Sequence, residues 1–99
     1  FGLGHNFRAT LEAWRADPQR PPRLDYIGFE AHPVGVDWLR RAHADDAWAA
    51  ALASRWPPAL PGVHVLRFAG GAVRLVLVFG DASEGLAALD FRADAVYLD

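Results

Sequence analysis

Gly2 and Gly4 form a Gly-Leu-Gly motif at the start of the chain, and Glu30 ends an apolar run 26 positions after Gly4. A glycine turn that opens a helix lets the backbone approach a ligand closely, and an acid at the tip of the next strand accepts hydrogen bonds from ribose hydroxyl groups. Taken singly, the glycines fit an ordinary tight turn and Glu30 fits a solvated acid. Their spacing favours a nucleoside-binding site.

Two more acids follow predicted strands. Asp81 comes directly after the apolar run that ends at Gly80, and Asp99 follows the last predicted strand. Ligands of open α/β sheets bind beyond the carboxyl ends of the strands. Asp81 also fits a helix N-cap, and Asp99 fits a carboxylate without a role. We predict that both acids lie with the glycine turn and Glu30 around one ligand.

Phe7 restricts the identity of that ligand. It occupies the place where a dinucleotide-binding fingerprint has its third glycine, and its ring prevents the close helix-to-strand approach of a pyrophosphate site. The pattern therefore favours a nucleoside ligand without a pyrophosphate, such as S-adenosylmethionine (AdoMet), over NAD. The chain has no Lys and therefore no Walker lysine, and its four His lack the spacing of metal ligands, so no metal is expected.

The elements that must position these residues follow from apolar periodicity and from Pro and Gly. The predicted order is helix His5–Ala16, strand Leu24–Phe29, helical region Val36–Trp56, strands Val63–Phe68 and Ala72–Phe79, helix Glu84–Leu89 and strand Ala95–Leu98. A break in the helical region is expected near Asp45 and Asp46, because Asp favours caps over helix interiors. This alternation predicts an α/β fold with right-handed crossovers.

Gly70 and Gly71 predict a β-hairpin between the two strands that flank them. If they are the two turn residues, the register pairs Phe68 with Val73, Leu66 with Leu75, and Arg67 with Arg74. Opposed like charges repel, so the face that carries the two arginines is expected to meet solvent rather than an anion. Arginines there also discourage edge-to-edge pairing.

The composition describes one small domain or part of one. The 99 residues are 53% hydrophobic with no Cys, which excludes a disordered chain and a disulfide scaffold. All ten cations are Arg, yet the net charge is −2, so the chain has no electrostatic footprint for nucleic acid. The apolar runs are too short to span a membrane. The four Trp residues are expected to pack in the core rather than to stack on bases.

Five segments, taken together, resemble the methyltransferase domain of the MnmC family, bifunctional proteins of tRNA 5-methylaminomethyl-2-thiouridine biosynthesis. The similar segments are Phe1-Gly2-Leu3-Gly4-His5-Asn6-Phe7, Phe29-Glu30-Ala31-His32-Pro33, Trp56-Pro57-Pro58 through Pro61-Gly62-Val63-His64, Leu77-Val78-Phe79-Gly80-Asp81-Ala82, and Val96-Tyr97-Leu98-Asp99. The resemblance implies a Rossmann-like class I AdoMet-dependent methyltransferase fold with an inserted β-hairpin. It also implies that residues 1–99 are a partial domain, without the family's first strand and its C-terminal strands.

The resemblance assigns roles to the candidate site residues. Gly2 and Gly4 would line the methionine part of AdoMet, and Asn6 belongs to the same cofactor-binding segment. Glu30 would hold the ribose. Asp81 would form a hydrogen bond with the adenine amino group. Asp99 would lie beside the transferred methyl group as the catalytic residue.

The implied reaction methylates the amine of 5-aminomethyl-2-thiouridine at the wobble position of tRNA. The partner would be tRNA and the location cytoplasmic, with FAD needed only if an oxidase domain follows. The alternatives are a methyltransferase for a small molecule and a nucleoside-binding domain without catalysis. The sequence leaves the oligomeric state open, and such a fragment is expected to be catalytically inactive if the absent strands are needed.

Overall fold

The computed structural model describes residues 1–42 and 47–81. Its main elements are α1 (His5–Ala16), β1 (Leu24–Glu30), α2 (Val36–Ala42), α3 (Ala47–Arg55), β2 (Gly62–Phe68) and β3 (Val73–Phe79). These elements confirm the predicted order within the described residues, with boundaries that agree to within one or two positions. The predicted break at Asp45 and Asp46, the helix Glu84–Leu89 and the strand Ala95–Leu98 lie outside them.

Helix α1 follows the apolar stripe of its sequence. Phe7 and Leu11, one turn apart, are its buried residues. The helix ends at Asp17, which adopts an extended backbone with φ −77° and ψ 116° while its N–H still donates to the Trp14 carbonyl. Pro18 explains this ending, because a proline disfavours helical geometry in the residue before it.

The three strands form one mixed sheet in the order β1-β3-β2. Strand β1 pairs parallel to β3, with Glu30 opposite Phe79 at the carboxyl ends of both strands. The crossover between them runs through α2, α3 and β2. Strand β2 pairs antiparallel to β3 in the predicted register, with Phe68 opposite Val73 and Arg67 opposite Arg74.

The hairpin turn is wider than a two-residue loop. Strand β2 ends at Phe68, β3 begins at Val73, and a short 3₁₀ turn at Ala69–Gly71 lies between them. Ala69 joins Gly70 and Gly71 in having a positive φ, of 52°. The left-handed stretch therefore begins one residue before the glycine pair, which the glycines alone did not indicate.

The described helices cover one face of the sheet. Residues that alternate along β3, such as Leu75 and Leu77, are fully buried against α1, α2 and α3. The cluster at this interface contains Phe7, Leu11, Leu39, Leu52, Ala53, Leu66, Phe68, Val73, Leu75, Leu77 and Phe79. No helix among residues 1–42 and 47–81 is long and apolar enough to cross a membrane.

The opposite face of the sheet carries the arginine pair of the hairpin. Arg67 is exposed on the edge strand β2, as predicted. Arg74 instead donates from Nε to Oδ1 of Asp25 on β1, over 3.0 Å. Arg74 and Asp25 keep 40% and 45% of their side chains exposed, so this face meets solvent as predicted, and their ion pair forms because the parallel register places Asp25 directly opposite Arg74. That cross-strand ion pair offsets the repulsion between the arginines.

Three of the four tryptophans, Trp14, Trp48 and Trp56, pack against the core, as predicted. The fourth is different. Trp38 is 65% exposed, and the guanidinium of Arg41 lies 5.7 Å from its ring centroid. The expectation of a core position was wrong for Trp38, because the neighbouring Leu39, which is fully buried, occupies the buried side of α2.

Replacing Leu75 with Ala tests the central position of β3. Leu75 is 0% exposed, so Leu75→Ala should lower the free energy of unfolding by about 2–5 kcal/mol, through lost burial and a residual cavity. Leu60→Ala is the matched control, because Leu60 is 63% exposed and should change stability by no more than about 0.5 kcal/mol. Urea unfolding of both variants measures the difference. Equal losses would contradict the assigned core.

Candidate functional site

The Gly-Leu-Gly motif forms a tight turn that begins α1. The Gly4 N–H donates to the Phe1 carbonyl oxygen over 3.1 Å, and the Gly4 carbonyl accepts the Arg8 N–H over 2.9 Å. Gly2 and Gly4 have φ values of 60° and 84°, a left-handed backbone that glycine adopts without steric cost. Space beside the Gly2 Cα is open, with no atom within 4 Å of a built Cβ. Backbone at Gly2 is therefore accessible to a ligand.

Glu30 ends β1 and accepts backbone hydrogen bonds on both carboxylate oxygens. The Gly2 N–H donates to Oε1 over 2.9 Å, and the His32 N–H donates to Oε2 over 3.2 Å. The amino nitrogen of Phe1 lies 3.8 Å from Oε1 and donates to the Phe29 carbonyl over 2.8 Å. The carboxylate thus joins the glycine turn to the loop that follows β1.

The surroundings of Glu30 keep its carboxyl ionised. Partial burial raises its pKa, but the N–H groups of Gly2 and His32, with the His32 side chain, lower the pKa below its usual 4.5. An ionised carboxylate only accepts hydrogen bonds, at about four lone-pair positions, of which backbone N–H groups fill two. With 21% of the side chain exposed, the other positions can accept two hydroxyl groups of a ribose.

Asp81 lies at the same edge of the sheet as Glu30. Phe79 is the register partner of Glu30, and the Gly80 N–H donates to the Glu30 carbonyl oxygen over 2.8 Å. This bond continues the parallel pairing one residue beyond the strand ends. Asp81 is the next residue and is exposed. Two acids therefore follow neighbouring parallel strands at one edge.

The structure brings together most of the predicted site. Gly2 contacts Glu30 directly, and Gly4 belongs to the same turn. Asn6 lies in the first turn of α1, where it is exposed and its carbonyl accepts the Thr10 hydroxyl over 2.8 Å. Asp99 lies outside the described residues, so its predicted place beside the ligand stays a prediction.

The contact between Phe1 and Gly28 was missed from the sequence. A Cβ built on Gly28 would lie 2.7 Å from Cδ2 of the Phe1 ring, so only glycine leaves room for that ring on β1. The Phe1 ring also restricts Gly4, whose Cβ would approach it to 3.1 Å. A glycine inside a strand is a known sign of a close approach, and Gly28 carried that sign.

Metal ligation is not supported by the described part of the chain. Among residues 1–42 and 47–81, no three His, Cys, Asp or Glu side chains are grouped so that they could hold an ion. The polar groups at the site are instead backbone N–H donors and the carboxylate acceptors of Glu30 and Asp81. Such a set matches the hydroxyl and amino groups of a nucleoside.

A family model described as S-adenosyl-L-methionine-dependent methyltransferase matches residues 43–99, which is more than half of the chain. The chain belongs to this methyltransferase family. Membership implies AdoMet as the methyl donor. The mixed sheet, with its parallel β1–β3 pair and helix-covered face, fits a Rossmann-like fold.

Curated relatives match the whole chain. Proteins from Azoarcus sp. (strain BH72), Paraburkholderia phytofirmans and Burkholderia multivorans are 51%, 52% and 51% identical to it over 105, 106 and 106 residues. Each is named tRNA 5-methylaminomethyl-2-thiouridine biosynthesis bifunctional protein MnmC. The chain spans 16% of the length of these relatives.

The lowered pKa of Glu30 predicts a pH-dependent contribution to stability. A depressed pKa in the folded state stabilises the fold above the unfolded pKa, near 4.5, and this contribution is lost as pH falls through the folded pKa. The difference in Tm between the wild type and Glu30→Gln should therefore stay constant from pH 7 to about 4.5 and shrink in more acidic buffer. Thermal unfolding across pH measures it. A difference that does not change down to about pH 2 would contradict the lowered pKa.

Proposed function

We propose that these residues form part of a methyltransferase domain that acts on the wobble uridine of tRNA. The reaction would convert the amine of 5-aminomethyl-2-thiouridine to 5-methylaminomethyl-2-thiouridine. The names of the relatives, with about half of all residues identical along the whole chain, support this substrate. The observation that carries the proposal is the pair of hydrogen bonds that joins the glycine turn and the His32 loop through Glu30.

The described residues offer the hydrogen-bond acceptors that AdoMet binding needs. Glu30 has acceptor positions for the two ribose hydroxyl groups. Asp81, which is exposed at the same edge of the sheet, would accept a hydrogen bond from the adenine amino group. Gly2, whose backbone is open, and Gly4 in the same turn would line the methionine part, and Asn6 would add a polar contact from the first turn of α1. When bound, AdoMet supplies an electrophilic methyl group for transfer to a nucleophile.

The acceptor amine must have a lone pair before it can attack, and an ammonium has none. A carboxylate close to the amine can orient it or accept its proton. We assign this role to Asp99. Alignment of donor and acceptor in one site would supply several kcal/mol of the acceleration even with little acid–base assistance.

The proposed fold places the β2–β3 hairpin as an addition to a Rossmann-like sheet, and residues 1–99 as one part of the domain. The family's first strand would lie along the free edge of β1, where the Phe1 nitrogen donates to the Phe29 carbonyl. The relatives are named bifunctional, and an oxidoreductase step that uses FAD would belong to their second activity. A cytoplasmic location fits a tRNA substrate.

Glu30→Gln tests the cofactor assignment. The substitution replaces one carboxylate oxygen with an NH₂ group. That group donates a hydrogen bond where the oxygen accepted one, so at least one hydrogen bond of the site is lost. AdoMet affinity should fall by about 1–3 kcal/mol, which is roughly 5- to 150-fold in Kd. Glu12→Gln is the matched control, because Glu12 is exposed on α1, where it pairs with Arg8. Calorimetric titration of the intact protein with AdoMet should show a loss for Glu30→Gln alone.

A methylation assay on tRNA that lacks the final methyl group tests the substrate. We expect methyl transfer from AdoMet to the wobble uridine by the intact protein, and no transfer to tRNA that already carries the methyl group. Activity on a free metabolite with none on tRNA would favour the small-molecule alternative. Binding of AdoMet without transfer to either would favour a nucleoside-binding domain.

A further inference from the structure

Trp56 lies just beyond the end of α3 and contacts all three segments that carry the candidate cofactor residues. It is half-buried and packs against the core cluster. None of the proposed cofactor contacts belongs to it. Its surroundings nevertheless connect it to the glycine turn, to the loop after Glu30 and to the end of β3.

The first contact is with the loop that follows Glu30. The Trp56 indole N–H donates to the Val34 carbonyl oxygen over 2.9 Å. Val34 lies two residues after His32, whose N–H holds Oε2 of Glu30. The indole therefore restrains the loop that supplies one of the two backbone donors of the carboxylate.

The second contact is with the glycine turn. The Trp56 ring stacks on Phe1, with centroids 5.9 Å apart and planes inclined by 29°. Phe1 is the residue whose carbonyl accepts the Gly4 N–H, and its ring fills the space beside Gly4 and Gly28. The stack thus restrains the turn that donates the Gly2 N–H to Glu30.

The third contact is with the end of β3. The Trp56 ring centroid lies 5.7 Å from that of Phe79, at an angle of 53°. Phe79 is opposite Glu30 in the sheet and immediately precedes Gly80 and Asp81. Aromatic pairs at this distance contribute beyond their buried area.

We propose that Trp56 is a positioning residue for the cofactor site. It holds the two segments that donate backbone N–H groups to Glu30, and the end of β3 that precedes Asp81, in one arrangement. This inference rests on the proposed AdoMet site. Site residues work only when surrounding contacts hold them within a fraction of an ångström, and one side chain that touches three segments meets that need. Loss of the indole N–H should loosen the loop at Val34 and weaken cofactor binding more than it weakens the fold.

Trp56→Phe and Trp14→Phe form a matched pair for the test. Trp14 also donates from Nε1 to a backbone carbonyl, that of Pro21, over 2.9 Å. That bond lies near the other end of α1, before β1 begins. Each substitution therefore removes one indole-to-carbonyl hydrogen bond and keeps an aromatic ring, but only one is at the site.

The experiment measures the Kd for AdoMet by calorimetry, the Tm, and the KM values for AdoMet and tRNA, all on the intact protein. Trp56→Phe should raise the Kd and the KM for AdoMet by about 3- to 10-fold, with an unchanged KM for tRNA, whereas Trp14→Phe should leave all three unchanged. A similar fall in Tm for both variants, with equal AdoMet affinity, would overturn the positioning role.

Phe1→Leu keeps the test decisive if Trp56→Phe does not fold, because it removes the stack from the other side. It should also raise the Kd for AdoMet, and an unchanged Kd would overturn the inference. Failure of the wild-type protein to bind AdoMet would instead refute the proposed function, and the positioning role with it. Binding by the wild type with equal affinity in every variant would refute the positioning role alone.

Discussion

The parallel pairing of β1 with β3 is the constraint on which the candidate site depends. In parallel strands both carboxyl ends meet at one edge, so Glu30 and Asp81 become neighbours although 50 residues lie between them in the sequence. The bond from the Gly80 N–H to the Glu30 carbonyl holds the chain in this register past the last strand residue. A shift by one residue would turn Glu30 to the opposite face of the sheet.

Aromatic rings fill the space between this edge and the helices. Phe7 is fully buried, 5.2 Å from Tyr26 of β1 and 5.7 Å from Trp48 of α3 between ring centroids. A ring of that size between α1 and the sheet keeps the helix away from the strand. The size of the Phe7 ring explains why this position suits a ligand without a pyrophosphate, since the close helix-to-strand approach of a pyrophosphate site needs glycine.

The sequence was informative wherever the cause was local. Helix α1, its end before Pro18 and the hairpin register follow from periodicity and turn residues, and the structure agrees with them. The grouping of Gly2 with Glu30, which are 28 positions apart, followed instead from a known nucleoside-binding motif of a glycine turn and an acid at a strand tip. The glycine turn could be predicted from its own residues, without the strand that precedes it in the family.

Pairings between distant segments could not be predicted in the same way. Asp25 meets Arg74 only because β1 lies beside β3, and the stack of Phe1 on Trp56 depends on the path of the intervening chain. The exposure of Trp38 has the same origin, because the apolar face of a short helix is decided by what the helix packs against. Periodicity gives the faces of an element but not its neighbours.

The hairpin turn at Ala69–Gly71 lies at the other end of β3 from Gly80, about 20 Å away along a strand of seven residues. Its glycines have open space around them, and the turn borders none of the candidate ligand contacts among residues 1–42 and 47–81. A flexible insertion in a surface loop adds little closure entropy. This tip is therefore a suitable place to attach a fluorophore or an affinity tag that lies away from Gly2, Glu30 and Asp81.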